Sequence, residues 1–80
     1  MQQTMQPIVK IKKNNREDLY LGLDTYKEHR VANFRIFVNG KNGAVIATPK
    51  GLTIAVEMLD EFIKAAEQVR QEAVQRGWLE

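Results

Sequence analysis

Two aromatic residues stand beside cations in this chain. Tyr26 precedes Lys27, and Phe37 lies two residues after Arg35, a spacing that puts both side chains on one face of a strand. Lys10 and Lys12 repeat that spacing, and Lys50 precedes Gly51. Aromatic faces stack on unpaired bases for about 1–3 kcal/mol per base, while ammonium and guanidinium groups track phosphates. Together these residue types furnish a groove for a single-stranded polyanion. Each also has an ordinary structural use. Phe37 suits a core or a subunit interface, and Tyr26 suits a sheet edge. Lys10, Lys12 and Lys13 suit an edge strand, where lysine discourages unwanted pairing. Arg35 has Asp24 and Glu28 as ion-pair partners across a sheet.

Other chemistry is poorly served. The sequence has no cysteine, which excludes disulfides and thiolate metal sites. One histidine makes neither a histidine-rich metal site nor a triad with a cysteine nucleophile. His29 lies among charged residues, where a solvated imidazole describes it better than a general acid or a ligand. Gly40-Lys41-Asn42-Gly43 matches neither a phosphate-binding loop nor a dinucleotide fingerprint. The carboxylates are scattered, and adjacent Asp60 and Glu61 point to different parts of a helix surface. The expectation is a binding protein with no catalytic residue, no metal and no cofactor.

At 80 residues the chain is one domain, residues 1–80, and a chain this short buries little core. With no disulfide or metal to staple it, association with a second copy is the remedy most open to it. The net charge of +2 hides an asymmetry. Residues 1–53 carry nine basic and four acidic side chains, residues 54–80 three and six. A basic front and an acidic back describe a bipolar surface whose basic side is a candidate for nucleic acid. No stretch approaches the roughly 20 apolar residues that span a bilayer. MQQTMQPIVK lacks the pattern of a secretory signal. The expected location is intracellular, in cytoplasm or nucleoid or in a host nucleus, with no membrane partner.

Residues 1–6 read as a polar, frayed start. Ile8 to Lys13 is short, partly alternating and β-branched, a strand. Leu19, Leu21 and Leu23 alternate on a second strand, in which Gly22 marks a bulge or a close backbone contact. Asp24 to Arg30 reads as a charged connection. Val31 to Asn39 is the strongest strand, with Ala32, Phe34, Ile36 and Val38 on one face and Val31, Asn33, Arg35 and Phe37 on the other. Asn39-Gly40 and Asn42-Gly43 signal a hairpin. Ala44 to Thr48 returns and ends at Pro49. A helix then begins within residues 54–57 and runs to Gly77, a good stop. Leu59, Phe62, Ile63, Ala66, Val69 and Ala73 form one helical stripe. Such a helix, near 20 residues and roughly 30 Å, outreaches strands of about 5–6 residues. Its spare apolar stripe, through Leu59, Phe62, Ile63, Ala66 and Val69, predicts a homodimer interface. The fold class is α+β, ordered β-β-β-β-α.

Two blocks, LDTYKEHRVANFRIFV at 23–38 and TPKGLTI at 48–54, resemble the positive-cofactor-four family of transcriptional coactivators, which bind single-stranded DNA and have bacterial and bacteriophage relatives. The resemblance covers roughly residues 19–66. It implies a curved four-stranded antiparallel sheet, one C-terminal helix, dimerisation through the helix, and a sheet surface that holds single strands. It places Tyr26 on the family's stacking aromatic, Lys27 on its basic partner in the turn, His29 on a position often basic, Arg35 on the strand arginine and Lys50 on the lysine before glycine. Asp24 departs from a frequent basic residue, Glu28 from a frequent turn glycine, and Val38 from a second stacking aromatic.

The expected function is a dimeric, sequence-tolerant single-stranded DNA-binding protein of replication, recombination or transcription. Electrostatic contacts would come from Lys10, Lys12, Lys27, His29, Arg35 and Lys50, and stacking from Tyr26 and Phe37. Two other readings remain: a regulator that reads duplex DNA with its sheet, and a protein-interaction module that recruits replication or transcription proteins with its acidic helix.

Overall fold

The computed structural model describes residues 6–80. Residues 1–5 of the expected frayed start lie outside the described residues, while Gln6 already belongs to the first strand. Strands β1 (Gln6–Lys12), β2 (Glu17–Tyr26), β3 (His29–Asn39) and β4 (Val45–Ala55) pair in chain order as one antiparallel sheet. A 3₁₀ turn, Val56–Met58, leads into helix α1, Leu59–Gln75. The expected β-β-β-β-α order is therefore the architecture.

The strands are longer than their apolar cores. The charged connection expected from Asp24 to Arg30 is instead strand on both sides of a two-residue turn, Lys27–Glu28. Both turn residues have positive φ, 49° and 69°, the requirement of a hairpin whose twist matches its strands. Pro49 does not end β4, which continues to Ala55, so α1 starts at Leu59 and not within residues 54–57. Proline is tolerated there because it falls in an irregularity: Arg35 pairs with Gly51 and Phe37 with Ala47, leaving Thr48, Pro49 and Lys50 against Ile36 alone. Of the two Asn-Gly steps, only Asn42-Gly43 supplies positive φ, within a 3₁₀ turn that joins β3 to β4. The bulge expected at Gly22 lies on its partner strand, between Pro7 and Val9, with Pro7 opposite Gly22.

Register divides the sheet into two sides. Leu19, Leu21 and Leu23 of β2 align with Ile36, Phe34 and Ala32 of β3, and with Val9 and Ile11 of β1 and Leu52 and Ile54 of β4. This is the helix side, where the Phe34 and Phe62 rings approach to 5.0 Å between centroids. The core is small: among the described residues Gly22, Val31, Ala32 and Asn33 are the buried ones.

Helix α1 touches the sheet through its first turns and then runs free. At 17 residues and 1.5 Å rise it is about 25 Å long, shorter than an 11-residue strand of about 37 Å. Its free surface therefore follows from how it leaves the sheet, not from outreaching it. Ile63 is 61% exposed and Val69 70%. The Cα radius of gyration, 14.8 Å, exceeds the roughly 12 Å of a compact chain of this length. Asp60 and Glu61 in the first turn suit the positive end of the helix dipole. At the other end the Trp78 N–H donates to the Ala73 carbonyl at 2.8 Å and the Gly77 N–H to Val74 at 3.0 Å. That double closure needs a left-handed residue, supplied by Gly77 at φ 80°.

The Lys27–Glu28 turn generates a stability prediction. A side chain in the left-handed region costs about 1 kcal/mol. Glu28→Gly should relieve it and raise the melting temperature by roughly 4–8 °C, the shift that 1 kcal/mol gives a domain of this size. A thermal melt followed by circular dichroism checks this.

Candidate nucleic-acid interface

On the side of the sheet away from α1, alternation brings most of the expected residues together. Tyr26 pairs with His29 beside the turn, and Lys27 sits in the turn itself. The Lys27 ammonium lies 5.4 Å from the centre of the Tyr26 ring, and Tyr26 is 61% exposed. Farther along, Lys10, Tyr20, Arg35 and Gly51 form one cross-strand row, and Lys12, Asp18, Phe37 and Ala47 the next. Lys10 and Lys12 are exposed, Tyr20 and Phe37 half-buried. Between the two ends lie Gly22, Asn33 and Thr53, a row of small or short side chains.

Tyr20 escaped the sequence reading. Its ring packs on Phe37 with centroids 4.3 Å apart and planes tilted by 31°. The two are diagonal neighbours on adjacent strands, close enough for rings to meet. The signal is the even-numbered face of β2, which Tyr20 shares with Tyr26 opposite the leucine alternation.

Arg35 is committed within the sheet. Its Nε donates to Asn33 Oδ1 at 3.2 Å, Nη1 to the Pro49 carbonyl at 3.0 Å and Nη2 to Thr53 Oγ1 at 3.2 Å. These partners replace the Asp24 and Glu28 pairings expected from sequence. The guanidinium lies across Gly51: a Cβ there would meet Arg35 Cζ at 2.8 Å and the Phe34 carbonyl oxygen at 2.3 Å. The Thr48 hydroxyl donates to the Ile36 carbonyl at 2.7 Å and accepts the Lys50 N–H at 3.2 Å. The Thr-Pro-Lys-Gly block thus builds a bulge that Arg35 clamps.

Lys50 is not brought to this face. Its ammonium lies 3.6 Å from the Glu17 carboxylate, and Glu17 alternates with Leu19 onto the helix side. Glu17 also accepts from Asn14 Nδ2 and Lys13 Nζ, both at 2.9 Å. The Asn14 hydrogen bond, then that of Lys13, with the positive charges of Lys13 and Lys50, hold the carboxyl down at about 2. Asn14 Oδ1 in turn accepts the N–H groups of Arg16 and Glu17 at 2.9 Å, which closes the β1–β2 loop.

Among the described residues no group of three His, Asp or Glu side chains is placed to hold a metal, and no helix is long and apolar enough to cross a membrane. The expected interface residues Leu59, Phe62, Ile63, Ala66 and Val69 all lie on α1; Leu59, Phe62 and Ile63 line an apolar recess of about 280 Å³ with Val9, Leu21 and Phe34 of the sheet.

The architecture is that of a small domain with one antiparallel sheet and one C-terminal helix. Two crystal structures share it, both of a PC4 (positive cofactor four) homolog from Burkholderia pseudomallei K96243. The orthorhombic form superposes with a TM-score of 0.81 over 90% of this chain and 97% of that one, at 19% identity. The tetragonal form gives 0.76 over 84% and 98%, again at 19%. The chain therefore has the fold of a bacterial PC4 homolog, in agreement with the resemblance that its two sequence blocks carry. No protein-family model matches the sequence, and no curated protein does either.

Glu17 generates a pH prediction. A carboxyl depressed from 4.5 to about 2 contributes stability above pH 4.5 and loses it as pH falls through 2. Glu17→Gln should therefore melt below the parent at pH 7, and the two should converge as pH approaches 2. Melts between pH 7 and pH 2 test this.

Proposed function

We propose that this protein binds single-stranded DNA with little sequence preference, as a homodimer, and holds unpaired strands in replication, recombination or transcription. The supporting observation is the clustering of Tyr26, Lys27 and His29 at one end of the open face, and of Lys10, Lys12, Arg35 and Phe37 at the other. Exposed aromatics and cations on one surface are what a single strand requires. The PC4-like fold supports the same reading. Arg35 lends charge to this face while its hydrogen bonds serve the bulge. Lys50, engaged by Glu17, stands outside the contact set. Catalysis and cofactors have no part in this reading, and the site of action is intracellular.

The free helix supports the dimer. Helices in proteins draw most of their stability from packing an amphipathic face, and α1 exposes Phe62, Ile63 and Val69. A second copy carries the same stripe and can cover it. The acidic remainder of the helix is then available to replication or transcription proteins.

Anisotropy of a labelled 20-mer, single-stranded and duplex, across a salt series tests the function. Tighter single-strand binding that weakens with salt is expected; equal or tighter duplex binding would point to a groove-reading regulator. Tyr26→Ala should weaken binding with little change in salt slope. Lys10→Ala should reduce the slope by about 0.7, the value of one phosphate on a single strand, while Lys50→Ala leaves it nearly unchanged. For the dimer, Ile63→Glu with Val69→Glu should yield monomers in sedimentation equilibrium; a dimer that survived both changes would place the interface elsewhere.

A further inference from the structure

The Tyr20–Phe37 pair sits on the open face of the sheet, where α1 offers no cover. Two stacked rings on that side need a reason. Lys10 stands beside Tyr20 on β1 and Arg35 beside it on β3. Lys12 lies one row away, across Asp18 from Phe37. Both rings are half-buried, so part of each meets solvent. Aromatic surface flanked by cations is suited to an anionic chain of planar groups and ill suited to an apolar helix. Two carboxylates share the face: Asp18 lies directly between Lys12 and Phe37, and Asp24 lies nearer the turn.

Tyr20 and Tyr26 are six residues apart on the same side of one strand, about 20 Å at 3.4 Å per residue. The span between them is floored by Gly22, Asn33 and Thr53, with Asp24 and Val31 next to the tip. The open face is thus a low track with an aromatic and basic station at each end.

We propose that Tyr20 and Phe37 form a second base-stacking platform, and that a single nucleic-acid strand runs along β2 and β3 between it and Tyr26. This rests on the single-strand reading above. It adds a residue and a direction: the strand follows the strands of the sheet and does not cross them. Six nucleotides fill 20 Å at the roughly 3.4 Å spacing of a stacked strand, and an unstacked strand needs fewer. One protomer therefore occupies about three to six nucleotides between its stations.

The test has two parts. Tyr20→Leu removes the aromatic face and keeps apolar bulk. It should lower affinity for an oligothymidine 12-mer about 5- to 150-fold, the range for loss of one stacked base. Tyr20→Phe should bind like the parent. If Tyr20→Leu and Phe37→Leu both bind like the parent while Tyr26→Ala binds weakly, the platform is wrong and the single-strand reading survives. If the parent itself shows no single-strand preference, the underlying reading has failed first. The second part uses the parent protein and does not depend on the variants folding. A 2-aminopurine is moved stepwise along the 12-mer with its end anchored by a terminal duplex. Two quenched positions separated by about three to six nucleotides support the track, and a single quenched position overturns it.

Discussion

The guanidinium of Arg35 lies close against Gly51, and much of the open face is arranged by that contact. Three of its N–H groups reach Asn33, Pro49 and Thr53, so one side chain joins the buried middle of β3 to both flanks of the β4 bulge. A carbonyl turned out of a strand needs a donor, and Arg35 supplies it at Pro49 while the Thr48 hydroxyl serves Ile36. The close approach excludes any Cβ at position 51. The Thr-Pro-Lys-Gly block is therefore a structural device that fixes the β4 bulge. An arginine with three such hydrogen bonds is also held still, and a held cation beside Tyr20 is a fixed part of the face.

The fold was largely legible because alternation is a strong signal. The opposed faces of residues 31–38 reappear in the register, and the spacing of Leu59, Phe62 and Ile63 marked one helical face, read from sequence as a subunit interface, whose first turns line a recess against the sheet. Element lengths were less legible. Polar residues extend β2 and β3 to the Lys27–Glu28 turn because backbone pairing continues after apolar burial stops. Pro49 concealed the second half of β4, since a bulge admits a residue that regular pairing rejects.

The candidate site was legible in part. Charge and aromaticity singled out Lys10, Lys12, Tyr26, Lys27 and Phe37 as candidates; strand register brings Lys10, Lys12, Tyr26 and Phe37 to one face, with Lys27 in the turn beside Tyr26. Tyr20 and Lys50 show the limit. Which ring meets Phe37 depends on the β2–β3 register, and which carboxylate takes Lys50 depends on the path of the bulge. Neither is encoded in local spacing.

The end of the helix has a further consequence. Trp78 is the single tryptophan in the sequence, turned back toward the last helical turn with the Arg76 guanidinium 5.3 Å from its ring centre. Both tyrosines, by contrast, lie on the open face. The two chromophore types are therefore sorted by surface: the indole belongs to the helix terminus and the phenols to the sheet. Intrinsic emission excited at the red edge watches one region of the molecule, while phenol absorbance watches the other, so events on the two surfaces are spectroscopically separable without any added label.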